Sequence, residues 1–201
     1  MELDPDRRVG EESAKAYARR CLTGFWTTWI KGPTVVDIGY RGRLNAETII
    51  DGAIGIEIGT PGYDGFNLPL RDGSVDTVHA SHVLEHVDDD QASLLEWWRV
   101  VRPGGTLILM VPHADLYERK ATVSPLSPSR WSHEHLRCYT ADTLVYAIRT
   151  CFGRNCCRIR YLEEDDTDYD YSLPLTEHPR GCFEIVAVIE KITPPLWDVE
   201  D

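Results

Sequence analysis

The sequence predicts an α/β fold in three layers, with a mostly parallel sheet covered by helices on both faces. Three observations carry this. First, residues 75–112 read as strand, loop, helix, glycine-containing turn and strand. VDTVHAS and TLILMV are short apolar runs rich in β-branched residues, as expected for strands buried on both faces. Between them Leu94, Leu95, Trp98 and Val101 recur at helical spacing, with Glu96 and Arg99 opposite. Strand, crossover helix and strand make one βαβ unit. Second, TVVDI (34–38) and AIGIEI (53–58) supply two more buried strands upstream. Third, NCCRIRYL (155–162) and FEIVAVIEK (183–191) are long enough to pair as an antiparallel hairpin.

Taken in order, residues 1–10 are polar and read as frayed. A helix is expected over 11–30, with Ala14, Tyr17, Ala18, Cys21 and Leu22 as its apolar stripe and Gly24 as an interruption. Phe25, Trp26 and Trp29 continue an apolar face. After the first strand, any helix is short, hardly exceeding LNAETII. Pro103, Gly104 and Gly105 are expected to stop the helix of the central unit, and Asp88, Asp89 and Asp90 to open it, complementing its dipole. Residues 121–132 are rich in Ser and Pro and read as an ordered loop or lid, with Trp131 as an anchor. A further helix is expected over 142–150, capped by Thr140, with Leu144, Ile148 and Cys151 or Phe152 inward. The acidic, Tyr-containing stretch after residue 162 reads as a solvated loop.

The length suits one domain over 1–201, divided into an N-terminal helix (11–30), a core (34–112), a lid and acceptor region (113–140) and a C-terminal helix and hairpin (141–191). A formal net charge of −12 argues against nucleic acid as a partner. Six cysteines are scattered without a zinc spacing, and two of them, Cys156 and Cys157, are adjacent. Reduced thiols in a soluble, cytoplasmic protein are expected, with no leader and no apolar run of the ~18 residues that membrane insertion needs.

Leu68-Pro69, Asp72, Ser74 and Asp76, then Leu84-Glu85-His86, then Arg99-Val100 and Pro103-Gly104-Gly105, stand in order and at matching spacing. This pattern resembles the class I S-adenosylmethionine-dependent methyltransferases, in particular their type 11-like subgroup, over roughly residues 34–144. The resemblance implies a Rossmann-like sheet of seven strands with an antiparallel C-terminal hairpin, and S-adenosylmethionine as cofactor. It implies cofactor contacts from Asp37, Gly39 and Gly42 in the loop after the first strand. Glu57 would receive the ribose hydroxyls, as its place 20 positions after Asp37 also suggests. Asp64, Asn67 and Leu68 would lie at the adenine, with Tyr63 or Phe66 stacked on it, and Ser81 at the end of the third strand. The chain departs from the family pattern at Arg41 and Arg43, which stand where the second and third loop glycines belong. An arginine is strained at positive φ and can crowd a ligand.

Methyl transfer to a hydroxyl benefits from a general base, and imidazole suits that role. His82, His113, His133 and His135 are the candidates. No bound metal is expected, although His82, Glu85 and His86 have a ligand-like spacing at the start of a helix. The acceptor expected is a small molecule or glycan carrying hydroxyls. Two rivals remain: a non-catalytic relative whose altered glycine loop has lost the cofactor, and a nicotinamide oxidoreductase, disfavoured because the first turn lacks G-x-G-x-x-G.

Overall fold

A computed structural model describes residues 3–119, 131–132, 134–153 and 155–196, the side chain of Arg43 excepted. The elements are α1 (Glu11–Leu22), α2 (Phe25–Trp29), β1 (Val35–Ile38), a 3₁₀ turn (Gly42–Leu44), β2 (Ile54–Ile56), β3 (Val75–Ser81), α3 (Asp90–Val100), β4 (Val101–Pro112), α4 (Ala114–Tyr117), α5 (Ala141–Phe152), β5 (Cys157–Asp165) and β6 (Glu184–Lys191). They form a six-stranded sheet in the order β2-β1-β3-β4-β6-β5. β2, β1, β3 and β4 run parallel, and β6 and β5 add the antiparallel hairpin.

Among the described residues the sheet has six strands rather than seven. Residues 57–74 fold into turns, punctuated by Gly59, Pro61, Gly62, Gly65, Pro69 and Gly73, residues that disfavour strand pairing. β2 is therefore the edge strand. The strand order reverses between β1 and β3, and the carboxyl ends of strands at such a switch point form a crevice.

The two faces have separate cores. Trp97, Trp98, Leu94, Leu144, Ile148 and Phe152 from α3 and α5 cover one face, where Trp98 stacks on Phe152 with ring centroids 4.1 Å apart. Tyr17, Phe25, Trp26, Ile49 and Ile50 cover the other. The central unit follows the expectation in outline. The inward face of α3 carries Trp97, while Leu95 is half exposed. The helix ends at Val100, where Val101 turns extended (ψ 130°), so Pro103 and the two glycines lie within β4.

The expected stripe of α1 is displaced. Ala16, Tyr17 and Arg20 are its buried residues, and Leu22 is exposed. The pattern treats arginine as solvated, whereas here Arg20 is held by acids of the hairpin. Gly24 breaks the helix in the left-handed region (φ +76°). Residues 3–10 pack down rather than fray: Arg7 Nε donates to the Thr48 carbonyl at 2.6 Å and Val9 is buried. No helix among the described residues is long and apolar enough to cross a membrane, and all six cysteines are free.

Thr140 caps α5 as expected. Its Oγ1 accepts from the Thr143 amide at 3.3 Å, and Thr143 Oγ1 accepts from the Thr140 amide at 2.9 Å. Thr140→Ala removes half of this reciprocal cap, and urea denaturation is expected to register a loss of about 1 kcal/mol.

Candidate active site

The crevice at the carboxyl ends of β1, β2 and β3 contains a cavity of about 740 Å³. Gly39, Arg41, Glu57 and Ile58 line one side, Tyr63, Asp64 and Phe66 another, and His82, Val83 and His86 the side toward β3. Beside it lies a narrow crevice of about 20 Å³ between residues 9–13 and the ends of β1 and β3. Asp37, Gly39, Tyr40, Arg41, Ser81 and His82 reach it.

Gly39 sits at φ +72°, and an added Cβ would come within 2.4 Å of Val83 Cγ2. Only glycine fits this close approach. The two residues that follow close the loop down. Arg41 adopts the left-handed conformation (φ 61°) and pairs with Glu11 at 3.8 Å. The Tyr40 ring packs against Gly42 and Gly55, where any Cβ would collide with it. Gly42 therefore serves to admit Tyr40, within the 3₁₀ turn.

Asp37 is committed inside the sheet. Asp37 and His79 face each other in register on β1 and β3. The Asp37 carboxylate meets His79 Nδ1 at 2.7 Å and accepts from the Ile49 amide at 2.6 Å. The turn at 64–67 is similarly self-contained, since Asp64 accepts from the Phe66 and Asn67 amides and from the Asn67 side chain. Asp64 lines the large cavity, whereas Asn67 is exposed outside it. Leu68 belongs to the core, its amide donating to Glu96 and its carbonyl accepting from Arg99. Ser81 hydrogen-bonds Ser13 at 3.0 Å.

The histidines separate into two groups. His113 caps α4: its Nδ1 accepts from the Asp115 amide at 3.1 Å and its Nε2 meets Glu164 at 3.3 Å. It lines neither cavity. His133 lies outside the described residues, as do residues 120–130 of the expected lid. Trp131, at the end of that segment, donates to the Tyr117 carbonyl at 2.7 Å.

His82, His86 and His135 converge on Glu85, in a turn before α3 rather than on a helix. Glu85 Oε1 lies 3.6 Å from His82 Nδ1, 3.7 Å from His86 Nε2 and 3.9 Å from His135 Nε2. His135 is brought here by backbone stitching. The Leu136 amide donates to the Glu85 carbonyl at 2.8 Å, and the Arg137 guanidinium donates to the carbonyls of Leu84, Val87 and Asp88. Burial pushes the Glu85 carboxyl up, against the lowering charges of His82 and His86. Burial, reinforced by the His86 and His82 charges, brings His135 down to about 4, so it is neutral at pH 7.

Pattern reasoning misses the support behind His82. Its Nε2 donates to Glu184 Oε2 at 3.1 Å, Glu184 Oε1 accepts from Arg20 at 2.5 Å, and Arg20 also donates to Asp165 at 2.9 Å. Arg19 adds a second bond to Asp165. Burial pushes His82 down, but the Glu184 hydrogen bond and the Glu85 and Glu184 charges outweigh it and raise it overall. The sequence pattern suggests nothing of this, because Asp165 falls in the stretch that reads as a solvated acidic loop, whereas it ends β5 and is buried.

Residues 57–109 match the family described as a methyltransferase domain. A methyltransferase in complex with the Trm112 methyltransferase activator of Haloferax volcanii has the same fold, with a TM-score of 0.55 at 17% identity over 92% of this chain and 99% of that one. The chain has the fold of the class I methyltransferases. The [4+2]-cyclase SpnF also shares the fold (TM-score 0.57, 16% identity, 95% of this chain and 86% of that one), so the architecture alone does not set the chemistry. In sequence, the chain is 34% identical over 83 residues to a probable S-adenosylmethionine-dependent methyltransferase of Mycolicibacterium smegmatis. It is 39% identical over 46 residues to the demethylmenaquinone methyltransferase of Streptomyces griseus. These matches cover 41% and 23% of this chain, and only 30% and 20% of those relatives. The cofactor of this family is S-adenosylmethionine.

The Glu184 carboxyl is pushed up by burial, but the His82 hydrogen bond and the Arg20 and His82 charges prevail and lower it from 4.5 to about 2. A carboxylate depressed on folding adds stability that is complete above its unfolded pKa and is lost as pH falls through the folded one. The window here is about pH 4.5 down to 2, and the contribution is roughly 3 kcal/mol. Glu184→Gln is expected to lower stability at pH 7 by a similar amount and to flatten the acid limb of a pH series of chemical denaturation.

Proposed function

We propose that this domain transfers the methyl group of S-adenosylmethionine to a hydroxyl of a small acceptor, such as a sugar, glycan end or related polyol. The observation that carries the reading is the 740 Å³ cavity at the switch point, with Gly39 and Glu57 on one wall and His82 and His86 on the other. The residues present fit the nucleoside part of the cofactor. Glu57, at the end of β2, would accept from the ribose hydroxyls. Tyr63 and Phe66 flank the space for a planar base, and the Gly39 backbone approaches where a side chain could not.

When bound, the cofactor supplies an electrophilic methyl on a sulfonium. The protein then has to align the acceptor and exclude water. Ile38, Val83 and Val87 give the cavity an apolar lining. His82 is the proton acceptor on this reading. Glu184 holds its Nε2, which leaves Nδ1 on the side of the cluster, an orientation that suits a general base.

The methionine end fits less openly. Tyr40 and Arg41 occupy the place of a bare glycine loop, Asp37 is already bonded, and the adjoining crevice holds only about 20 Å³. These features favour the second reading, a relative of the family that no longer binds the cofactor.

Calorimetric titration decides between them. S-adenosylmethionine and S-adenosylhomocysteine are expected to bind in the micromolar range, NAD not at all, and binding should then be followed by turnover with hydroxylated acceptors. Glu57→Ala is expected to weaken the cofactor at least tenfold, about 1.4 kcal/mol. Arg41→Gly relieves the left-handed strain and opens the crevice, so it should tighten binding several-fold. A folded protein giving no heat with either sulfur ligand would overturn methyl transfer.

A further inference from the structure

The cluster around Glu85 contains a chemical contradiction. The Glu85 side chain is 1% exposed, and neither carboxylate oxygen has a hydrogen-bond partner among the described residues. Burying a carboxylate without partners is unfavourable, and such groups persist where they are paired or coordinate a cation. The surrounding donors are all imidazole nitrogens, at 3.6–3.9 Å from Oε1, too far for direct hydrogen bonds.

The orientation of His86 sharpens the point. Its Nδ1 lies 3.0 Å from the Glu134 carbonyl, which can only accept. Nδ1 therefore carries a hydrogen, and Nε2 is the nitrogen turned toward Glu85, 3.7 Å from its Oε1. A backbone carbonyl holding the far nitrogen of a histidine is the usual outer partner of a metal-ligating imidazole, setting its tautomer and ring orientation. His135 presents a second imidazole nitrogen to the same carboxylate, its Nε2 3.9 Å from Glu85 Oε1.

We propose that Glu85, His86 and His135 bind a divalent transition cation of the zinc type. Their donor atoms already lie within 4.8 Å of one another. Ligands at about 2.0–2.1 Å in tetrahedral array stand roughly 3.3 Å apart, so the side chains need to close in only modestly around an ion. Two imidazoles and one carboxylate suit Zn²⁺, Co²⁺ or Mn²⁺ and not Mg²⁺ or Ca²⁺, which call for oxygen ligands. His86 borders the large cavity, so a remaining coordination position is open to an oxygen of a ligand entering there. A cation in that place would polarise a hydroxyl acceptor and lower its pKa. Binding of the ion itself does not rest on the methyl-transfer reading, and it is tested in the absence of S-adenosylmethionine.

The experiment uses the full chain, stripped with a chelator, dialysed and titrated calorimetrically with Zn²⁺. One equivalent is expected to bind with a submicromolar Kd and to raise the thermal midpoint. Co²⁺ is expected to give the visible absorption of a low-coordinate nitrogen–oxygen site. Glu85→Gln and, independently, His135→Ala should each weaken Zn²⁺ at least tenfold and abolish the Co²⁺ band. His135→Ala leaves the buried Glu85 in place, so it remains informative if Glu85→Gln fails to fold. Substituting Cys156 and Cys157 by Ser should leave the site intact, which separates it from adventitious thiol binding. Absence of a stoichiometric site in the wild type, or full retention of it in His135→Ala, would overturn the proposal.

Discussion

The arrangement depends most on a guanidinium buried where no water reaches it. Arg20 is 2% exposed, held between Asp165 of β5 and Glu184 of β6, and Glu184 in turn holds His82. Charges inside a protein persist only when paired, and removing one partner strands the others. This chain of charges therefore sets where α1 can lie. Sliding the helix along the sheet would leave Arg20 uncompensated, so α1 stays over the carboxyl edge of the sheet. There its first turn brings Ser13 to Ser81. The same chain orients His82 from behind, through an element more than a hundred residues away in sequence.

The loop after β1 shows how a family pattern can be kept at one point and lost at the next. Gly39 retains the close approach that a glycine permits, against Val83. The next residues reverse the logic: a tyrosine ring fills the space over Gly42 and Gly55, and an arginine takes a conformation usual for glycine. Asp37 faces inward to His79 and the Ile49 amide, which makes it a brace between β1, β3 and the segment after the 3₁₀ turn. The loop is thus built for packing at its start and leaves the wider space to the turns at 57–66.

On the opposite wall, the polar groups are drawn together by hydrogen bonds to backbone carbonyls. The carbonyls of Leu84, Glu85, Val87 and Asp88 are gathered by Arg137 and the Leu136 amide, and this brings two distant stretches into one wall with Glu85 between three imidazoles. A buried carboxylate among three imidazoles is the polar focus of that wall, and the cavity opens beside it.

Much of the fold is legible in the sequence because the signals are local. Apolar runs with β-branched residues mark β3 and β4, Thr140 marks the start of α5, and Gly24 marks a helix break. The expected seventh strand is absent among the described residues, where residues 57–74 form turns rich in glycine and proline. In the candidate site, Glu57, His82 and Glu85 stand out by their spacing and Gly39 through the resemblance. What the tertiary structure alone decides is which polar groups are already taken. Asp37 meets His79 across 42 positions and Arg20 meets Glu184 across 164. His135 arrives beside Glu85 through the path of a loop. The sequence by itself determined the elements and the edge of the sheet where chemistry is possible, since periodicity and caps act over one or two turns of chain. Strand register and buried charge pairing decided the rest, because they depend on contacts that no local pattern encodes.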